Sequence, residues 1–346
     1  MSSAALVPEV PAAAGPRQRP RSRRRWLSRR VAPYVFISPF FILFVVFGAY
    51  PLLFSVWVSF FRWDGVGAMS FTGLGNYLWV LDLTQLPWPG FLTTEFWAEV
   101  YRRDFWRALY NTLWIGLVAG ASQHLVAIPL AWFIHTKLRR LSHPVLALYF
   151  LPFITNAVAI ALVFQALFST QFGLVNTVLT TLGHWQVGGV APLAWLFPQQ
   201  NIDWSGPDHV RWLVAFVVWW RYVGWNTVLY LAALQTIPAD LYEAARIDGA
   251  SSWKCFRHIT LPQLRPMMFF AVTLTIIGSL QMFEESYILT RTTGGTGRVA
   301  ETSAMYMLRM AMIEGDFGAA SAVAWLLFLL IGLLTFLNKR WFAPRH

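Results

Sequence analysis

Six apolar stretches alternate with polar segments along this chain. They run from Pro33 to Phe60, Leu109 to Ile134, Val145 to Phe168, Trp212 to Leu234, Met267 to Leu289 and Ala319 to Leu337. A bilayer core of about 30 Å needs roughly 20 residues of helix. The pattern therefore predicts six transmembrane helices and an all-α integral membrane protein. The period-two alternation of a spanning strand does not occur in them, which argues against a β-barrel. Pro39, Pro51, Pro129 and Pro152 fall inside spans, where neighbouring helices can satisfy the freed carbonyls. The expected organisation is a basic segment over 1–32, a six-helix domain over 33–340 and a short tail over 341–346. Met1–Pro20, rich in Ala, Pro and Arg, is expected to be disordered. Its basic region, and the apolar stretch that follows, are too long for a cleaved signal peptide.

Composition supports a membrane protein. Hydrophobic residues make up 57% of the 346, and charged residues only 12%, against about 25% in soluble domains. The one cysteine, Cys255, excludes an internal disulfide and a cysteine-rich metal site. His124, His135, His143 and His258 share no ligand spacing, so no metal site is expected.

The net charge of +11 is unevenly placed. Eight arginines precede Pro33, and the second-to-third and fourth-to-fifth connections and the tail bring that side to 18 basic residues. The opposite side carries 8. The positive-inside rule then places both termini and the fourth-to-fifth loop in the cytoplasm. The basic excess reads as a topology signal beside anionic membrane lipid, and no nucleic-acid partner is expected.

That fourth-to-fifth loop, about 236–266, is the most informative segment. Pro238 ends the fourth span, and Asp240 is expected to cap a short helix with Glu243 as its capping-box partner. Leu241, Ala244, Ala245 and Asp248 share one face, and two alanines leave it slim enough for close approach by a partner. Gly249 suits a left-handed helix end. Ser251 can cap a second short helix carrying Trp253, Phe256 and Ile259, and Pro262 is expected to push Leu261 out of the helical region. The shape is two short helices hinged at a glycine.

The spacing E-A-A-x3-G-x9-I-x-L-P, met by Glu243, Ala244, Ala245, Gly249, Ile259, Leu261 and Pro262, resembles the EAA loop of permease subunits of ATP-binding cassette (ABC) importers. Further stretches are similar to carbohydrate-type permeases of the maltose and glycerol-phosphate kind. They are SPFFILFVVFGAYPLLFSVWVSFFRWDG, FGLVNTVLTTLG, WNTVLYLAALQTIPADLYEAARIDGAS and LTRTTGGTGRVAETSAMYML. The likeness covers roughly residues 33–340. It departs in a longer outer segment before the fourth span and in GGTG at 294–297, where the family often has a proline.

The resemblance implies a type I ABC importer permease fold in a bacterial or archaeal cytoplasmic membrane. It implies that the loop is a coupling helix docked in a cytoplasmic ATPase, with Glu243 as polar anchor, Ala244 and Ala245 permitting close docking, and Gly249 shaping the turn. This sequence has no G-x-x-x-x-G-K-[ST] phosphate loop, so it is expected to be no enzyme and to bind no cofactor; ATP would be used by a separate ATPase dimer. A second permease subunit, giving a heterodimer, and an extracytoplasmic solute-binding protein complete the implied partners.

A charge inside a span is costly and usually faces a bundle interior or water. Arg221, Glu284 and Glu285 are read as such, either as an ion pair, as cavity lining or at the interface. Asn156, Gln165, Asn226 and Gln281 are neutral hydrogen-bonding candidates for a translocation path, and Trp219, Trp220 and Trp225 are candidate aromatic walls. Each polar residue could equally make an interhelical bond. Phe172–Leu182 and Ala304–Ile313 read as short outer helices, and GGTG as a turn. The expected function is transport of a sugar or oligosaccharide. A glycerol-phosphate or polyol permease is the alternative. A secondary transporter lacks visible internal symmetry, and a membrane-embedded enzyme lacks clustered acids or histidines.

Overall fold

The computed structural model describes residues 23–82, 93–138, 142–186 and 193–342. The expected disorder over Met1–Pro20 lies outside them. The chain forms two compact units, one ending at Ser55 and the other beginning at Val56.

The first unit holds α1 (Arg23–Phe44), a π turn at Val45–Ala49 and the start of α2 (Tyr50–Val58), whose last three residues belong to the second. The π turn immediately precedes Pro51, and Tyr50 N–H reaches back five residues to Val45 O. Such wide turns relieve crowding where a proline enters a helix. Val31–Val58 has a mean hydropathy of 2.3 over its most apolar window, which matches the first predicted span.

The second unit opens with a two-residue antiparallel pairing, β1 (Phe61–Arg62) with β2 (Ser70–Phe71). Short helices α3 (Gly75–Leu81) and α4 (Thr94–Arg102) follow. The bundle then consists of α5 (Asp104–Lys137), α6 (Ser142–Ile154), α7 (Ala157–Leu167), α9 (Val210–Leu234), α13 (Arg265–Leu280) and α16 (Phe317–Phe342). Between them lie α8 (Leu174–Gly183), α10 (Ala239–Ile247), α11 (Ser252–Cys255), α12 (Leu261–Gln263), α14 (Glu284–Leu289) and α15 (Ser303–Met312). The two outer helices expected near Phe172 and Ala304 are α8 and α15.

Two predicted spans are reshaped. The third is broken into α6 and α7, bent by 94°. The break falls at Asn156, whose side chain accepts from Val158 and Ala159 N–H and so starts α7 anew. The fifth span ends at Leu280, and the predicted stretch to Leu289 includes the separate helix α14. At 16 residues, α13 is about 24 Å long, short of the core thickness on its own. The fourth, α9, has 25 residues, or about 37 Å.

The second unit's core has three main parts. One joins α5, α7 and α9 around Ile115, Phe164 and Val214. A second joins α5, α9 and α13 around Ile134, Tyr230, Leu234 and Ala271. A third packs α15 and α16 on the start of α5 through Phe105, Tyr306 and Val323. Gly224 permits a close crossing: a Cβ there would lie 1.7 Å from Tyr149 O on α6. Small residues at such crossings let membrane helices approach closely.

Candidate functional site

The predicted coupling loop is a protruding helix rooted in the core. α10 has no buried residue. It is joined to α11 by Gly249, which takes φ +77° and has nothing within 4 Å of where a Cβ would stand. α11 continues through a π turn, Phe256–Thr260, and α12. This second limb is anchored: Cys255, Phe256 and Thr260 are buried, and Phe256 packs on Trp132 and Trp253. The limbs are tied by Tyr242 OH and Thr260 Oγ1 at 2.9 Å. Glu243 and Ala244 are exposed, Ala245 half-buried.

Two local expectations are corrected. Pro238, not Asp240, occupies the N-cap of α10, with no side-chain cap. The proline ends the preceding span and starts the helix in one step, leaving Asp240 in the first turn, where its charge complements the helix dipole. Leu261 is not driven out of the helical region: it has φ −63° and ψ −41°. Its N–H reaches Phe256 O, five residues back, and this widened turn accommodates the Pro262 ring. The change of direction comes later, a 65° bend between Ser252–Gln263 and α13. Ser251 caps α11 as expected, accepting from Lys254 N–H at 3.4 Å.

Sequence reasoning missed Ile247 and Tyr242. Ile247, at the tip of α10, is 86% exposed. An apolar residue three positions after Ala244 on a polar helix was the available signal. Tyr242 gave none, because its partner lies 18 residues on.

A cavity of about 420 Å³ opens between α5, α9, α13 and the start of α14. Arg221, Asn226, Gln281, Glu284 and Glu285 line it together, joined by Gln123, Tyr222 and Trp225. Arg221 Nη1 bonds Glu285 Oε1 at 2.5 Å. Glu285 is buried, and Arg221 Nε is buried without a partner. The guanidinium also lies 5.3 Å from the Tyr222 ring centre. Arg221 stands 11 residues into α9, about 17 Å along it, near the middle of the helix. Glu284 is exposed to the cavity, on the far side of the break that ends α13. Asn226 Nδ2 donates to Gln123 Oε1 at 3.1 Å, which fixes both amides on the wall. Trp225 stacks on Phe153 with ring centres 4.3 Å apart.

Three candidates lie elsewhere. Asn156 caps α7. Gln165 Nε2 donates to Ile288 O at 3.1 Å, joining α7 to α14. Trp220 packs edge-on against Phe164.

The loop 291–303 is held by a network. Asn111 Nδ2 donates to Arg298 O and Glu301 O at 3.0 and 3.1 Å. Arg309 joins Glu301 at 2.8 Å and Asp104 at 2.9 Å. Among the described residues no group of three metal-ligating side chains occurs.

The family model for the inner membrane component of binding-protein-dependent transport systems matches residues 125–346, which include the protruding loop and all of the cavity's lining but Gln123. The chain belongs to this family. It is thus a multi-pass inner-membrane permease subunit of a binding-protein-dependent ABC importer. The arabinooligosaccharides transport permease AraP of Bacillus subtilis (strain 168) is 32% identical over 322 residues, 92% of this chain and 90% of its own. The lactose transport permease LacF of Rhizobium radiobacter is 30% identical over 306 residues, 88% and 92% of the two chains. A bacterial ABC transporter involved in import of the acidic polysaccharide alginate shares the fold. Its TM-score is 0.65 at 20% identity, covering 92% of this permease and 98% of that chain.

Proposed function

We propose that this permease forms half of a translocation pore for a neutral sugar or oligosaccharide. An extracytoplasmic binding protein delivers the solute, a second permease subunit completes the pore, and a separate cytoplasmic ATPase dimer drives it. Both termini and α10 face the cytoplasm. The carrying observation is α10 itself: a helix with no buried residue, held at its root and uncovered at its tip. A surface helix without a buried residue suits insertion in a partner's cleft. Glu243 supplies a charge for that cleft, Ala244 the close approach, and Leu241 and Ile247 the apolar contact. Closure of the ATPases on ATP would push α10, and the anchored second limb would pass the displacement to α13.

A sugar is favoured over a phosphorylated polyol by the cavity's charge. Arg221 is neutralised by Glu285, and Glu284 adds a second carboxylate. A phosphate dianion would meet no unpaired cation there. The amides of Gln123, Asn226 and Gln281 and the face of Trp225 suit hydroxyls and sugar C–H surfaces. The names of AraP and LacF, both saccharide permeases, support the same class.

The deciding experiment is mild-detergent purification of the tagged chain from its native host, with mass spectrometry of what accompanies it. A P-loop ATPase and a second permease should co-purify, and both should be lost when Glu243–Gly249 is replaced by a Gly-Ser linker. A chain that purifies alone, or keeps the ATPase after that replacement, would overturn the coupling role.

A further inference from the structure

We propose that a pocket framed by Arg257, Arg265 and Trp341 binds the phosphate headgroup of an anionic phospholipid. The pocket has a volume of about 500 Å³ and is distinct from the translocation cavity. Arg265 is the first residue of α13, and Trp341 and Phe342 are the last of α16. α16 is long and apolar enough to cross a membrane, so its C-terminal end places the pocket at a bilayer surface. Arg257 enters from the π turn that roots the protruding helix.

The lining joins two chemistries. The side chains of Arg257 and Arg265 make no ion pair or hydrogen bond among the described residues, and no carboxylate of those residues lines the pocket. By contrast Arg221 is paired with Glu285 and Arg309 with Glu301. Two unpaired guanidinium groups converging on one pocket match a phosphate, which they can grip with paired N–H donors. The remaining wall is Leu261, Pro262, Met268, Trp341 and Phe342. Trp341 is 87% exposed, as interfacial tryptophans are where they meet lipid. A free anion would use only the guanidinium side. A phospholipid uses both, with its acyl chains along α13 and α16. Basic pockets between membrane helices are established headgroup sites.

The binding claim requires only that α16 spans the membrane; its consequence rests on the coupling role of α10. Arg257 sits in the same turn as Thr260, the partner of Tyr242. A bound lipid would brace the root of α10, making coupling dependent on anionic lipid.

The full-length chain in a neutral maltoside detergent is titrated with phosphatidylglycerol, phosphatidylcholine or inorganic phosphate, and its apparent Tm is followed. Phosphatidylglycerol should raise the Tm by several degrees, with little effect from the other two. The double variant R257Q/R265Q should lose most of that shift, and R340Q, a basic change outside the pocket, should keep it. Native mass spectrometry of retained lipid gives a second readout if the double variant starts from a lower Tm. Equal stabilisation by inorganic phosphate would replace the lipid with a small anion. An unchanged shift in R257Q/R265Q, or an equal loss in R340Q, would overturn the pocket. Loss of ATPase co-purification in the double variant with an intact lipid shift would assign the arginines to the subunit contact instead.

Discussion

The hydroxyls of Tyr242 and Thr260 meet at 2.9 Å, and this bond ties the exposed helix α10 to a buried turn of the core. It is the only side-chain hydrogen bond between those two limbs among the described residues. A hydrogen bond of this kind contributes about 1 kcal/mol, little for the stability of the whole chain. Its value is geometric. Tyr242→Phe should leave membrane insertion and Tm nearly unchanged while lowering ATP-driven uptake several-fold. Uptake in vesicles beside the ATPase rate of the assembled complex would check it, since loosened coupling leaves ATP hydrolysis running.

Gly249 takes φ +77° in open space. A bulky residue there meets no neighbour, so its cost is backbone strain, about 1–2 kcal/mol for a non-glycine residue. Gly249→Val should reorient α10, abolish uptake and spare insertion. Asn, which tolerates the left-handed region, should retain part of the uptake. Equal loss in the two variants would mean that the position is contacted directly by a partner rather than set by its backbone.

Arg221 and Glu285 form the cavity's buried ion pair. Removing one partner of such a pair costs about 3–5 kcal/mol, because the other charge is left buried. Arg221→Met should therefore lower the Tm strongly, and Arg221→Met with Glu285→Gln should recover most of it. Uptake of a neutral saccharide should recover less than stability does, since the cavity wall has changed.

Gly224 lies against the α6 backbone, and an added methyl would overlap Tyr149 O. No side-chain rotation relieves a backbone clash. Gly224→Ala should force α6 away from α9 and lower the yield of folded protein in detergent. Gly278, which has nothing within 4 Å, is the control: Gly278→Ala should be tolerated.

Glu301 should give the fold's stability a pH dependence of definite sign. Burial pushes its carboxyl above the ordinary value of 4.5, and Arg309 pulls it only partly back. The folded state therefore holds this proton more tightly than the unfolded state does. The contribution is full below the ordinary glutamate value and falls as pH rises through the raised one. Tm curves of the native chain and of Glu301→Gln should diverge in favour of the variant as pH climbs through that window. Parallel curves would refute the assignment.

The protruding loop was legible because its determinants are local. Pro238, Ser251 and Gly249 act on their own backbone, and each shapes the chain where the sequence places it. Two expectations failed on equally local ground. Asp240 yielded the cap to Pro238, and a π turn carried the chain through Leu261 and Pro262. A π turn adds one residue to a helix, which rotates everything beyond it by about 100°, and no residue type announces it.

The sequence by itself determined the apolar spans, the loop, the absence of a phosphate loop and the family spacing. Hydropathy, capping and turn chemistry are sums over neighbours in the chain, so they can be read along it. Only the tertiary structure decided which polar residues share a wall. Asn226, Gln281, Glu284 and Glu285 meet Arg221 at one cavity, while Asn156, Gln165 and Trp220 do not. That sorting depends on how each helix is rotated and where it breaks. A glycine against a carbonyl at Gly224, a break at Gln281–Phe283 and a bend before α13 set those angles. Contacts between residues 64 apart, such as Arg221 and Glu285, exist only once they are set.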